Sequence, residues 1–346
     1  MPSPLPGLDA LVRDLGFDHW AVARAGQAPH AEAFLAWLRE GRHGDMAWMA
    51  RDPARRTDLD RVLPGVRSIL LVALNYHQHP APSQARVARY ALGQDYHGLI
   101  ESRLESLAAA LARAGGGQKI YVDTGPVLEK DWAARAGLAW QGKSTMAIHP
   151  RLGTWFFIGT VLTTLDLPPT PPIRDHCGRC TRCITACPTG AITAPYRLDA
   201  RRCIAYLTIE HKGPIPEEFR AAIGDRVYGC DDCLEACPWN RWAAATREAA
   251  FQEIPRPDPA VMLAWSEQEF RAHFAGSPIL RLKLERWKRN LCVVLGNTGT
   301  AASLPSLEAA ASGPSALVAE HARWAITRIR ARLFPDGGTS GPGESG

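Results

Sequence analysis

Residues 177–188 read CGRCTRCITACP, a C-x2-C-x2-C-x3-C-P run. That is the spacing by which bacterial ferredoxins wrap cubane iron–sulfur clusters. Three thiolates on a tight loop, Cys177, Cys180 and Cys183, serve one cluster, and the fourth, Cys187 before Pro188, points away to a second. A shortened copy follows in CDDCLEACP, residues 230–238, with Cys230, Cys233 and Cys237, and Cys203 in RRCIAYLT supplies the missing ligand. The spacing therefore assigns Cys177, Cys180, Cys183 and Cys237 to one 4Fe-4S cluster and Cys187, Cys203, Cys230 and Cys233 to the other. Paired C-x2-C knuckles also build tetrahedral zinc sites, but zinc does not need a third and fourth cysteine interleaved and followed by proline.

Outward from this module, eight of the nine cysteines fall between Cys177 and Cys237. The ninth, Cys292, lies in the apolar NLCVVLG and reads as a core thiol. The amino terminus lacks a basic stretch followed by a long apolar one, and no apolar run approaches the ~20 residues of a membrane span. A soluble cytoplasmic protein is expected, so the cysteines are read as cluster ligands rather than disulfides. The 346 residues, 46% hydrophobic and 22% charged, exclude a mostly disordered chain and suggest two or three domains. Forty Lys and Arg against 35 Asp and Glu, net +5, is too weak a balance to argue for nucleic acid, so local clusters of charge matter more.

Ahead of the cysteines, the first 60 residues read as helices around turns, from the three- and four-residue spacing in LDALVRDLGF and AEAFLAWLRE. RSILLVALNY (67–76) is a buried strand, residues 100–115 an amphipathic helix ended by glycines, and KIYVDTG a second strand. VLEKDWAARAGL is another helix and TWFFIGTVLTTLDL (154–167) a hairpin or strand pair. The alternation predicts an α/β (α+β) domain over 1–170. PPTPPIRD (168–175) reads as a linker to a ferredoxin-like module over 171–243. The rest, 244–334, is helical. KRNLCVVLG and ARWAITRIR, 34 residues apart, suggest a HEAT-like repeat, and PDGGTSGPGESG predicts a disordered tail over 335–346.

No G-x-G-x-x-G follows a strand, and Gly115–Gly117 are turn glycines, so a nicotinamide or flavin site is unsupported. DYHGL (95–99) falls short of the D-x-H-x-x-G element that gives some cobalamin enzymes a histidine; it reads as a helix start capped by Asp95. Asp123, at the end of KIYVD, is a turn residue on pattern alone, in a place where ligands also bind.

VDTGPVLEKDWAARAGLAWQGKSTMAI, GTWFFIG, RRCIAYLTIEHKGPIPEEFR and YGCDDCLEACPWNR, joined to the ferredoxin run, closely resemble the epoxyqueuosine reductases of tRNA queuosine synthesis. The likeness runs from Phe17 to Asn240 and more loosely through the helical end. It implies reduction of epoxyqueuosine to queuosine at the wobble position of tRNA, with electrons passing from two 4Fe-4S clusters to a cobalamin held in the 1–170 domain. It also implies an external low-potential electron donor. Asp123 takes the role of proton donor, with a pKa raised by burial beside the corrin. Arg56, Ala147, Ile158 and Asp231 fall at cobalamin contacts. Some relatives carry cysteine where this chain has Ala91, so no thiol contact to cobalt is assigned. With tRNA as substrate, Arg281, Lys283, Arg286, Lys288 and Arg289 of RLKLERWKRN become phosphate contacts, and the 244–334 region a tRNA-binding one. The alternatives are a corrinoid iron–sulfur reductase of a small molecule and a non-catalytic electron carrier. The absence of a long heptad or exposed apolar stripe favours a monomer.

Overall fold

In the computed structural model, which describes residues 7–334, the apolar run at 67–76 supplies a strand buried along its whole length. Four strands, β1 (His19–Arg24), β2 (Ser68–Asn75), β3 (Gln118–Tyr121) and β4 (Phe156–Thr163), form one sheet in the order β1-β2-β4-β3. Every pairing is antiparallel. The two-residue period of a strand divides β2 between two cores. Leu70, Val72 and Leu74 meet Ile100, Leu104, Leu107 and Leu111 of helix α1 (Tyr96–Arg113). Ile69, Leu71 and Ala73 meet Trp132, Ala133 and Ala136 of helix α2 (Glu129–Ala136). A strand covered on both faces must be apolar throughout, which is why it stood out in the sequence. Asp95 caps α1, accepting the His97 N–H at 3.2 Å, and Gly137, at φ 77°, ends α2.

The structure corrects several expectations. The first 60 residues are not all helical: HWAVAR forms β1, whose half-buried His19 and Trp20 and small alanines hide the usual strand signature. TWFFIGTVLTTLDL is no hairpin but a single strand, with Gly159 in its interior, where a Cβ would press on Val72 at 2.9 Å and Ile100 at 3.1 Å. The proline stretch is not a free linker. Thr170 donates its N–H to the Val22 carbonyl at 2.9 Å, its hydroxyl accepts the Val22 N–H at 3.0 Å, and Pro171 packs on Gly137.

The chain divides into two units. One comprises residues 7–80, 89–203 and 231–254, the other 81–88, 204–230 and 255–334. The second unit is mainly helical. Its core gathers Trp287, Phe270 and Phe274, with Trp287 and Phe274 centroids 4.9 Å apart. Helices α3 (Leu284–Thr298) and α4 (Ala316–Leu333) hold the two echoing segments. They pack so closely that a Cβ on Gly296 would overlap the Trp324 ring. Cys292 is buried in α3, as its apolar setting predicts. The tail expected at 335–346 lies outside the described residues. Among the described residues, no helix is long and apolar enough to cross a membrane.

Candidate active site and cluster-binding module

β3 ends at Tyr121, and two residues later Asp123 takes φ 59°, a left-handed conformation that aspartate tolerates better than most residues. Its Oδ2 accepts the Tyr96 hydroxyl at 2.8 Å, with His97 Nε2 at 3.9 Å. His97 Nδ1 is in turn 2.7 Å from Asp95 Oδ1. The Asp123 backbone N–H donates to Glu129 Oε1 at 2.9 Å, so a residue at the start of α2 fastens the turn. The Asp123 side chain is 68% exposed. The burial expected of it is not supplied by the protein. Glu129 is half-buried, and desolvation, then the Asp123 charge, push its carboxyl up to about 8. Lys130 is exposed, and desolvation by the surrounding protein lowers its pKa.

Arg56 joins this group. Its guanidinium donates to the Gly125 carbonyl at 3.2 Å and lies 5.2 Å over the Trp48 ring. Ala147 stands in a two-residue strand opposite Gln141, and Ile158 stands in β4 opposite Ala73. Both belong to the apolar cluster that contains Leu128 and Tyr121. Lys130 Nζ lies 3.8 Å from Met146 Sδ. Asp123 and Arg56 therefore meet the turn that precedes α2, and Ala147 and Ile158 belong to the apolar cluster into which α2 packs. Asp231 is placed otherwise: it accepts the Arg89 N–H at 2.7 Å, and burial raises its pKa to about 6. Ala91 is buried. Sequence reasoning passed over Tyr96, Glu129 and Lys130, and weighed His97 only as the histidine of an incomplete cobalamin element. Tyr96 was hidden by its place beside a helix cap, and Glu129 and Lys130 read as the charged start of an ordinary helix.

Cys177, Cys180, Cys183 and Cys237 line one cavity, together with Cys233, His176 and Trp239. The Cys237 thiol, pushed up to about 11 mainly by burial, also feels the charges of Cys177, Cys183 and Cys180. One-turn helices at Arg182–Thr185 and Asp232–Glu235 carry the third cysteine of the first run and Cys233 of the second. Among the described residues no three His, Cys, Asp or Glu side chains are arranged to hold a single metal ion; these thiols surround a space instead. Cys187 Sγ accepts the Ala191 N–H at 3.2 Å. Cys233 packs against the apolar core that contains Tyr96.

Comparison with known proteins agrees with this geometry. Residues 176–240 match the 4Fe-4S double cluster binding domain, and residues 56–124 match the model described as epoxyqueuosine reductase QueG, DUF1730. The epoxyqueuosine reductase of Pseudomonas aeruginosa is 42% identical over 331 residues, covering 91% of this chain and 92% of its own. That of Xanthomonas campestris is 44% identical, covering 92% and 94%. The chain belongs to the epoxyqueuosine reductase family. Its cysteine module accordingly binds two 4Fe-4S clusters, not zinc. A crystal structure of an epoxyqueuosine reductase with an epoxyqueuosine-modified tRNA-Tyr stem loop has TM-score 0.88 at 29% identity, covering 94% of this chain and 90% of that one. The Bacillus subtilis epoxyqueuosine reductase, solved with its catalytic aspartate loop swung out of the active site, has TM-score 0.87 at 28% identity, with the same coverage.

In this family member the basic run at 281–290 is not uniformly available to RNA. Arg281 and Lys283 are exposed, ahead of α3, and Lys288 is half-buried. Arg286 donates to the Ile209 carbonyl at 2.7 Å. Arg289 is a correction: its side chain is 0% exposed and donates to the carbonyls of Leu207, His211 and Gly213, each at 2.8 Å. It ties loops to α3 and has no donor left to offer a phosphate.

Proposed function

We propose that this protein reduces epoxyqueuosine to queuosine at the wobble position of tRNA, in the cytoplasm, as a monomer that uses two 4Fe-4S clusters and a cobalamin. The observation that carries the reading is Asp123, fixed at the end of β3 by Tyr96 and Glu129 in a chain whose cysteine module binds two clusters. In the reaction two C–O bonds of the epoxide break, a C=C bond forms, and two electrons and two protons release the oxygen as water. Asp123 donates a proton to that oxygen; the Tyr96 hydroxyl holds its carboxyl in place, and Glu129 holds its backbone. Cys177, Cys180, Cys183 and Cys237 bind one cluster, and Cys187, Cys203, Cys230 and Cys233 the other. The side chains fit a corrin, an apolar macrocycle edged with amides: Ile158, Met146 and Leu128 are half-buried apolar groups, and the cation Lys130 lies 3.8 Å from Met146 Sδ. Arg56, the backbone at Ala147, Ile158 and Asp231 are the residues that would hold it, and when bound it supplies a strongly reducing cobalt centre. Arg281 and Lys283, with Arg286 and Lys288 at the margin, contact tRNA phosphates in a HEAT-like helical region.

The test is anaerobic. The iron-loaded protein and a low-potential reductant are incubated with epoxyqueuosine-containing tRNA, with and without cobalamin, and the digested nucleosides are weighed by mass spectrometry. Loss of one oxygen only with cobalamin is the expected outcome. No loss, with clusters and cobalamin both bound, overturns the assignment in favour of a small-molecule reductase.

A further inference from the structure

Trp242 is 49% exposed, and the Arg241 guanidinium lies 3.8 Å over its ring. The indole leans on Trp239, with centroids 4.9 Å apart. Trp239 in turn packs edge-on to buried Trp140 at 4.8 Å and lies 5.3 Å from His176. Trp239 and His176 are walls of the cavity lined by Cys177, Cys180, Cys183 and Cys237. One ring therefore separates an exposed aromatic tip from the first cluster site. The surroundings are cationic. Arg182 lines the same cavity, and Lys143 donates to the Gly178 carbonyl at 2.6 Å. Exposed Arg174 and Arg179 stand on the same cysteine loop. The one acid between 174 and 190 is Asp175, which accepts the Cys177 N–H at 2.7 Å and the Tyr196 hydroxyl. From Trp239 to Arg247 there is no acid at all.

Tryptophan and arginine are among the residues most enriched at protein-binding hot spots. The place of this pair over the first cluster site bears on electron flow. Cys233, read as a ligand of the second cluster, packs against the apolar core that holds Tyr96, the residue hydrogen-bonded to Asp123, so the second cluster is the one nearer the Asp123 turn and the first is the end at which electrons enter. Electron transfer falls off steeply with distance, so the donor must sit close to that first site. We infer that Arg241, Trp242 and the arginines of the 174–182 loop form the docking surface for the external electron donor, a small acidic one-electron carrier protein. This rests on the reading of Cys177, Cys180, Cys183 and Cys237 as one cluster. At each visit the donor's centre is oxidised by one electron and the first cluster is reduced by one; two visits supply the two electrons of the reaction.

The test uses the full-length holoprotein with reduced plant-type ferredoxin as the acidic probe. Bleaching of the cluster absorbance is followed by stopped flow, and binding of oxidised ferredoxin by calorimetry. Arg241→Glu is expected to slow bleaching and weaken binding about tenfold at low salt, the difference shrinking as salt rises. Trp242→Ala is expected to weaken both with little salt dependence. Bleaching by titanium(III) citrate and binding of tRNA should stay at wild-type values in both variants. The proposal is overturned if ferredoxin acts equally well on the variants, if titanium(III) is slowed to the same degree, or if tRNA binding alone is lost, which would make this an RNA surface. Because bleaching requires no nucleoside, a failure of the substrate assignment shows up separately. Absence of bleaching by titanium(III) in the wild type would strike the cluster reading and this proposal together.

Discussion

At the scale of single residues, the acid turn separates two tasks. Asp123 is exposed and held through Tyr96, while Glu129 is drawn in beneath the turn and keeps its proton well above the usual carboxylate range. Asp123→Asn keeps the size and the Tyr96 contact but removes the transferable proton. Turnover is expected to fall about 10²–10⁴-fold with iron content and cobalamin binding unchanged, measured by nucleoside analysis alongside metal and corrin assays; unaltered turnover would sink the role. Glu129 makes a pH prediction. Its folded pKa of about 8 lies above the unfolded value of 4.5, so between these values the folded state keeps a proton that the unfolded chain has lost. Stability therefore falls as pH rises through that window. Glu129→Gln removes this slope: its Tm relative to wild type should rise between about pH 5 and about pH 8.5. A constant difference across the window would mean that Glu129 is not held protonated.

At the scale of elements, the close approach of β4 and α1 depends on Gly159, where a Cβ would press on Val72, Ile100 and Leu104 at once. Gly159→Val is expected to cost about 1–3 kcal/mol, read as a lowered Tm, because a packed core yields little to extra volume. The cysteine loops make a second prediction. If Cys237 crosses to the first loop, Cys237→Ser and Cys180→Ser should each lower iron from about eight to about four per chain and leave the same spectroscopic centre. Different surviving centres would refute the pairing. These elements also show what was legible in the sequence. β2, α1 and α2 could be read because burial on both faces, or on one stripe, writes itself into apolar spacing. The cysteine loops could be read because cluster ligation fixes spacing. β1 could not, since its inward positions are alanines and a valine. The linker was misread because proline content says nothing of the Thr170 and Gly137 contacts that pin it. Glu129 was missed because its partner is a backbone N–H, which leaves no trace in side-chain pattern.

At the scale of the whole molecule, a charge count and a charge's availability are different quantities. The net +5 is small, and in the run that raised the prospect of RNA binding the strongest hydrogen-bond donor is consumed internally. Arg289 satisfies carbonyls from three residues between Leu207 and Gly213 and also reaches Asn290 Oδ1. Its removal leaves buried acceptors without a donor, which costs about 3 kcal/mol or more. Arg289→Ala should lower Tm markedly, while any loss of tRNA affinity should track the folded fraction. Arg281 and Lys283 are exposed. Each phosphate they neutralise releases condensed counterions, so Arg281→Ala/Lys283→Ala should weaken tRNA binding at low salt and reduce the slope of log K against log salt by about two, with Tm nearly unchanged. A titration at several salt concentrations distinguishes these outcomes. If the slope stays at its wild-type value, the tRNA backbone lies elsewhere and the basic run serves only to solvate the start of α3.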